Sequence, residues 1–241
     1  MASAAIGVEQ SEVGDRARTV TLFLLTATYF FSYMDRQILS ILLEDIKADL
    51  LLNDTQLGLL SGLAFALFYA TLGIPIAWLA DRYNRTNIIS ISLGLWSAMT
   101  AVCGLAQNFT HLLLARIGVG VGEAGSSPPS HSIIADLYPS EKRAFALSIY
   151  SLGVTLGAAA GQIFGGNLTY FFDWRTAFIA LGLPGVILAV IVKLFATEPE
   201  RRAEPGQSGN EDRPSLRAGF ASIFGNRAAV WLISGVTLTS L

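Results

Sequence analysis

The sequence predicts an all-α membrane protein: a bundle of six transmembrane helices followed by the start of a seventh. Composition is the first reason. Of 241 residues, 52% are hydrophobic and 14% charged, against roughly 25% charged in an ordinary soluble domain. The second reason is where the charges fall. No Asp, Glu, Lys or Arg occurs between Asp54 and Asp81, between Arg85 and Arg116, or between Arg143 and Asp173. Each gap is long enough for the roughly 20 apolar residues that cross a bilayer. The third is pattern: the apolar runs do not alternate as the ~10-residue strands of a barrel would. Helices remain, because lipid cannot satisfy an unpaired backbone group. A single soluble domain is excluded. A disulfide framework is excluded too, since Cys103 is the only cysteine.

Residues 1–19 are polar and charged and lack the order of a signal peptide, so they are expected to form a tail. The six-helix bundle is expected over 20–196. Its apolar runs are Val20–Leu43, Leu57–Ala80, Ile88–Ala106, Leu112–Leu137, Ala144–Phe172 and Thr176–Val192, joined by short connections. Residues 197–227 turn polar, with Glu198, Glu200, Arg201, Arg202, Pro199, Pro205 and Pro214, and are expected to be a water-exposed linker. A seventh apolar run over 228–241 is too short to span, so the chain is expected to be part of something longer. Lys and Arg set the orientation. Of 16, twelve fall on the side of the N-terminus and linker, Lys47 and Arg175 fall on the other, and Arg36 and Arg116 lie inside runs. The N-terminus and linker are therefore expected to be cytoplasmic, in an inner (plasma) membrane.

Four ionisable residues interrupt the apolar runs: Asp35, Arg36, Arg116 and Glu123. A charge near the bilayer centre costs about 2.5–3.5 kcal/mol on insertion scales, so such residues usually face a cavity or a partner. From a rise of 1.5 Å per residue, Asp35 lies about 12 Å below the outer end of the first helix. On the same rise, Arg116 lies roughly 6 Å and Glu123 roughly 17 Å below the outer end of the fourth. Arg116 and Glu123 are nearly two whole turns apart and share a face. One acid on the first helix is thus expected to meet a basic–acidic pair on the fourth. Burial favours the neutral form of a carboxylate and a nearby Arg favours its charged form, so the trio suits a proton site. A static ion pair that orients two helices is the bland alternative. For Arg36 the choice is between this site and snorkelling to the outer interface.

Asp81, Arg82 and Arg85 follow the second helix and can form a charge latch; ordinary positive-inside decoration explains them equally. Asp136 and Glu141-Lys142-Arg143 stand near the same end, where they join the latch or are simply solvated. Gly153, Gly157, Gly161 and Gly165 recur every four residues on the fifth helix, the spacing that lets helix backbones approach closely. The glycines at 118, 120, 122 and 125 precede Pro128-Pro129 and match close packing plus a bend, not a phosphate loop. His111 is expected to be solvated and His131 to be a hydrogen-bonded helix residue. Two histidines and one cysteine offer no metal-site spacing. No nucleophile–base arrangement and no cofactor motif occurs, which argues against an enzyme. A net charge of −2 leaves no footprint for nucleic acid.

Six helices, a linker and the opening of a seventh resemble the first half of a major facilitator superfamily transporter. The loop Asp81-Arg82-Tyr83-Asn84-Arg85 is similar to that superfamily's signature after the second helix. Ala77 and Asn84 stand where the signature has glycines, and Thr86 where it has a further basic residue. Asn84 is expected to keep the turn because Asn tolerates the left-handed conformation. Asp173-Trp174-Arg175-Thr176-Ala177-Phe178 resembles the usual entry to the sixth helix. A narrower resemblance is to the Spinster-like branch, carried by Tyr33-Met34-Asp35-Arg36 and by Arg116-Ile117-Gly118-Val119-Gly120-Val121-Gly122-Glu123-Ala124 with Pro128. It extends over about Val20 to Leu241.

The resemblance implies alternating access between two six-helix bundles, with proton coupling at Asp35 and Glu123 beside Arg116, and a lysolipid- or sphingolipid-type substrate. Expected partners are membrane lipids, protons, a small amphiphilic or anionic substrate, and the missing C-terminal half. Arg36, Phe31, Phe65 and Tyr69 are candidate substrate-path residues; aromatic side chains in such positions are also ordinary packing. An organic-anion or sugar carrier with Arg116 holding the anion is the alternative within transport, and a non-transporting membrane subunit is the alternative outside it.

Overall fold

A computed structural model describes residues 13–201 and Gly225. Two compact units divide the chain, Met1–Glu200 and Arg201–Leu241. The seventh apolar run and nearly all of the linker lie outside the described residues, as do the first twelve residues of the tail.

The first unit is helical throughout its described length. Helix α1 spans Asp15–Leu50, α2 Asp54–Gly58, α3 Ala64–Ala80, α4 Arg85–Cys103, α5 Phe109–Glu123, α6 Ser127–Leu137, α7 Ser140–Phe171 and α8 Trp174–Phe195. Among the described residues, four stretches are long and apolar enough to cross a membrane: Asp54–Ala80, Arg85–Cys103, Ser140–Asn167 and Trp174–Phe195. The charges at Asp35 and Arg36 dilute the apolarity of α1, and the break between α5 and α6 leaves helices of only 15 and 11 residues.

Short polar caps explain the helix starts. Asn53, Asn84, Asn108 and Asp173 each accept a hydrogen bond from the backbone N–H three residues on, satisfying a donor that the helix leaves free. Asn53 and Gln56 complete a reciprocal capping box. The Thr176 hydroxyl and amide hold the Asp173 carboxyl below its ordinary range. Asn84 sits at φ −64° and ψ 116°, so it is an extended N-cap and not the left-handed turn residue expected of it. Left-handed backbone occurs instead at Leu51, φ 54°, where α1 ends and the Leu51 amide donates to the Lys47 carbonyl.

Two of the six runs are not single α-helices. The second contains a π-helical turn, Leu59–Leu63, between α2 and α3. The fourth breaks at Ala124–Ser126, between α5 and α6. Pro128 and Pro129 have no N–H for the carbonyls four residues back, on Ala124 and Gly125, so an unbroken ladder is impossible there. Both prolines fall in the first turn of α6, where the missing donor costs nothing.

Helix α7 packs along α1, and α4 packs against both α8 and α5. A Cβ on Gly153 would lie 2.7 Å from the Thr26 carbonyl oxygen, and one on Gly161 2.9 Å from that of Met34. Gly157 faces the Phe30 backbone and Gly165 faces Ile38 and Ile41. The contacts advance together along both chains, so α1 and α7 run parallel from the same end. The α4 contacts use small residues as well: Gly122 lies against the Trp96 backbone and Gly182 against that of Ser97 and Ala101. Ile38, Leu42, Ile89, Leu93, Val119, Ile133 and Phe178 fill the core between these helices.

Candidate functional site

The interior of the bundle holds three almost fully buried ionisable side chains, Asp35 (5% exposed), Arg116 (2%) and Glu123 (1%). The pairing differs from the one expected. Glu123 takes its partner from α1, where Arg36 donates from Nε (2.8 Å) and Nη2 (2.6 Å) to Glu123 Oε2. Arg36 therefore turns inward and does not snorkel, a position fixed by the carboxylate and by three aromatic faces. Its guanidinium carbon stands 5.2, 4.8 and 5.1 Å from the ring centres of Tyr33, Phe65 and Tyr69, within cation–π range.

Asp35, the next residue, points elsewhere. Its Oδ2 accepts a hydrogen bond from the Thr100 hydroxyl on α4, 2.5 Å away. Successive residues on a helix lie about 100° apart, so Asp35 and Arg36 reach different neighbours. Asp35 also borders a cavity with room for about one water molecule, lined by Phe31, Met34, Trp96, Ser97, Thr100, Leu181 and Gly182. Asp35 Oδ1, Glu123 Oε1 and Arg116 Nε and Nη1 are buried without a hydrogen-bond partner. Arg116 stands 5.6 Å from the Phe65 ring, which thus lies near both guanidinium groups.

The substrate-path candidates divide accordingly. Phe31 belongs to the Asp35 cavity, and Phe65 and Tyr69 belong to the Arg36 cage. Tyr33 and Thr100 are contact residues of the interior charges that sequence reasoning missed. Tyr33 stood in the quoted motif with no role, and a Thr inside a charge-free run carries no signal of its own.

A second cluster closes the end of the bundle where α4 begins. Arg85 is 2% exposed, and its guanidinium donates to Glu198 Oε1 (2.7 Å), to the Ser132 hydroxyl (2.8 Å), to the Pro199 carbonyl (2.9 Å) and to Asp136. The Thr86 amide and hydroxyl both donate to Glu198 Oε2, at 2.8 and 3.0 Å. Arg82 stacks on Trp78, 3.7 Å from its ring centre, and the Asp81 amide donates to the Ala77 carbonyl. The first three residues of the expected linker fold back onto the bundle: Thr197 donates to Thr21, and Glu198 and Pro199 pack onto Arg85. Glu198 was legible only as one charge in a polar stretch.

At the opposite end Arg175 donates to Asp49 (2.6 Å) and to the Ala106 carbonyl (3.1 Å), tying α8 to α1 and to the α4–α5 loop. His131 Nδ1 lies 2.9 Å from the Ser127 carbonyl, a hydrogen-bonded helix histidine. Among the described residues, no His, Cys, Asp and Glu group with a metal-binding arrangement occurs.

A helical bundle of long apolar segments, with charged side chains paired across its interior, is the architecture of a multi-pass membrane protein. Residues 25–241 match the Major Facilitator Superfamily, and the chain belongs to that family. It is 36% identical over 181 residues to an MFS-type efflux pump of Mycolicibacterium smegmatis, covering 75% of this chain and 42% of that protein. To Protein spinster homolog 1 of Xenopus tropicalis it is 35% identical over 213 residues, covering 86% of this chain and 39% of the relative. The crystal structure of a bacterial homolog to the human lysosomal transporter Spinster, inward-facing and unoccupied, superposes with a TM-score of 0.75 at 39% identity. That match covers 83% of this chain and 47% of the other. The chain is thus a Spinster-like member of the superfamily with the fold of its N-terminal half, and it spans less than half the length of these relatives.

Proposed function

We propose that this chain is the N-terminal half of a proton-coupled secondary transporter for an amphiphilic, lipid-like organic substrate. The single observation that carries the proposal is the interior charge network. Two acids and two arginines lie between α1 and α5, yet only Arg36 and Glu123 hydrogen-bond each other. A purely structural pair has no use for the second acid and second arginine. Each spare charge raises the cost of insertion.

In this reading Asp35 and Glu123 carry protons, and Arg36 and Arg116 exchange as the counter-charge of Glu123. While Arg36 holds Glu123, its guanidinium supplies the counter-charge in an otherwise apolar site. Substrate that draws Arg36 away removes that counter-charge, and a proton takes its place. Binding and protonation are then linked without direct contact between them. The Tyr33, Phe65 and Tyr69 rings suit the apolar part of an amphiphile, and Phe31 extends that wall. Asp81, Arg82 and Arg85 form the cytoplasmic gate, with Asp136 and Glu198 as the acids that hold Arg85. The domain plan is a tail over 1–19, a six-helix bundle over 20–196, a linker over 197–227 and a seventh helix opening at 228. The N-terminus is cytoplasmic, in the inner (plasma) membrane, and the bundle rocks against a C-terminal bundle in alternating access. An organic-anion carrier is the second reading, favoured by the two unpartnered buried nitrogens of Arg116.

The test is uptake into proteoliposomes of the transporter containing this chain, with a fluorescent lysophospholipid and a radiolabelled sugar acid as parallel probes. Lysophospholipid uptake that rises with an imposed pH gradient, and loses that dependence in Asp35→Asn and Glu123→Gln, supports the proposal. Uptake indifferent to the gradient, or unchanged in both variants, refutes proton coupling. Uptake of the sugar acid alone selects the second reading.

A further inference from the structure

The N-terminal end of the bundle carries a cleft that the transport reading does not use. It is an open cleft of about 210 Å3 lined by Asp15, Arg18, Thr19, Tyr138, Pro139 and Lys142. Its walls are the first turn of α1, the α6–α7 turn and the first turn of α7. Because α1 and α7 run parallel, both helices present the positive end of their dipole to this cleft. Gly14, the N-cap of α1, supplies no side-chain cap to its first-turn amides. Arg18 and Lys142 add full charges, and Arg18 Nε is buried without a hydrogen-bond partner. The Thr19 and Tyr138 side chains line the same walls and add hydroxyl groups. One acid opposes them: Asp15 reaches Arg18 Nη1 at 3.4 Å, a long contact from a fully exposed carboxylate.

We propose that this cleft binds the phosphate group of an anionic phospholipid, held between Arg18 and Lys142. Lipid is favoured over a free anion by what lies next along each helix. Phe23 follows Thr19 by four residues and Phe145 follows Lys142 by three, so each shares the face of its cleft residue. Both phenyl rings are 70% exposed, one turn deeper into the apolar part of the bundle. A basic cleft bordered by exposed rings at the edge of the apolar zone matches a headgroup with its acyl chains alongside. Basic pockets between transmembrane helices bind anionic lipid headgroups.

Native mass spectrometry of the full chain in neutral detergent tests this, titrating dioctanoyl phosphatidylglycerol, dioctanoyl phosphatidylcholine and inorganic phosphate. Phosphatidylglycerol adducts are expected to exceed phosphatidylcholine adducts. Arg18→Gln and Lys142→Gln should each weaken phosphatidylglycerol binding about fivefold at low salt. Asp15→Asn should tighten it, and Lys47→Gln, at the other end of α1, should leave it unchanged. Displacement of the lipid by millimolar inorganic phosphate would make the free anion the ligand of the same site, whereas failure to displace it makes the lipid the ligand. Binding that is unchanged in both Arg18→Gln and Lys142→Gln, or weakened equally by Lys47→Gln, overturns the proposal. None of these residues belongs to the interior charge network, so a negative result here leaves proton coupling untouched.

Discussion

Exchanging the partner of Glu123 from Arg116 to Arg36 has a measurable consequence. Consider two double-mutant cycles, Arg36→Gln with Glu123→Gln and Arg116→Gln with Glu123→Gln. In the first pair the charged groups are in contact, with N–O distances of 2.6 and 2.8 Å. Unit charges about 4 Å apart attract by about 4 kcal/mol at an effective dielectric constant near 20. The Arg36 side chain is 32% exposed, and a Gln at 123 still accepts a hydrogen bond. Both effects roughly halve the coupling, to about 2 kcal/mol. In the second pair the seven-residue separation places the backbones about 10 Å apart. The same Coulomb arithmetic at that separation yields about 1.7 kcal/mol, less than half of the unscreened value for the contact pair. The assay is unfolding of purified protein in micelles by SDS or heat, followed through tryptophan fluorescence at pH 7. Coupling for Arg116 equal to or greater than that for Arg36 would refute the pairing, and with it the exchange mechanism built on it.

The glycine face of α7 makes a prediction of two signs. Gly153→Ala places a Cβ 2.7 Å from the Thr26 oxygen and should destabilise by about 1–3 kcal/mol. Gly166→Ala meets nothing within 4 Å and should stabilise by up to about 1 kcal/mol through helix propensity, so equal effects at the two positions would argue against the α1–α7 contact. Asp173→Ala should cost about 1 kcal/mol at pH 7, where the carboxylate caps α8. Because folding lowers the Asp173 pKa, this contribution is present above the unfolded value of about 3.9 and is lost as pH falls through the folded one. The stability gap between wild type and variant, measured by denaturation from pH 7 to pH 2.5, should therefore close only at the acid end.

Much of the fold was legible because lipid imposes its rules on sequence directly. Backbone polarity must be satisfied within each span, so long charge-free runs of this kind are read as helices; the caps at Asn53, Asn84, Asn108 and Asp173 that start four helices emerged only in the structure. The Pro128-Pro129 break followed from missing donors, and the four-residue glycine repeat pointed to a close helix contact before its partner was known. The π-turn at Leu59–Leu63 had no such marker, since neither a proline nor a charge sits there. The interior site was legible as residue types and depth, but its pairing was not.

By itself the sequence determined which segments are helical, which charges interrupt the apolar runs, and which superfamily they resemble. Tertiary structure decided who meets whom. Asp35 and Arg36 are adjacent in sequence, yet one turns to Thr100 and the other to Glu123, because a 100° step on a helix separates them. Arg85 collects Asp136 and Glu198, whose sequence separations of 51 and 113 residues no local pattern spans. Side-chain pairing depends on helix rotation and packing distance, and these are set by contacts such as Gly157 against Phe30, not by any one segment alone.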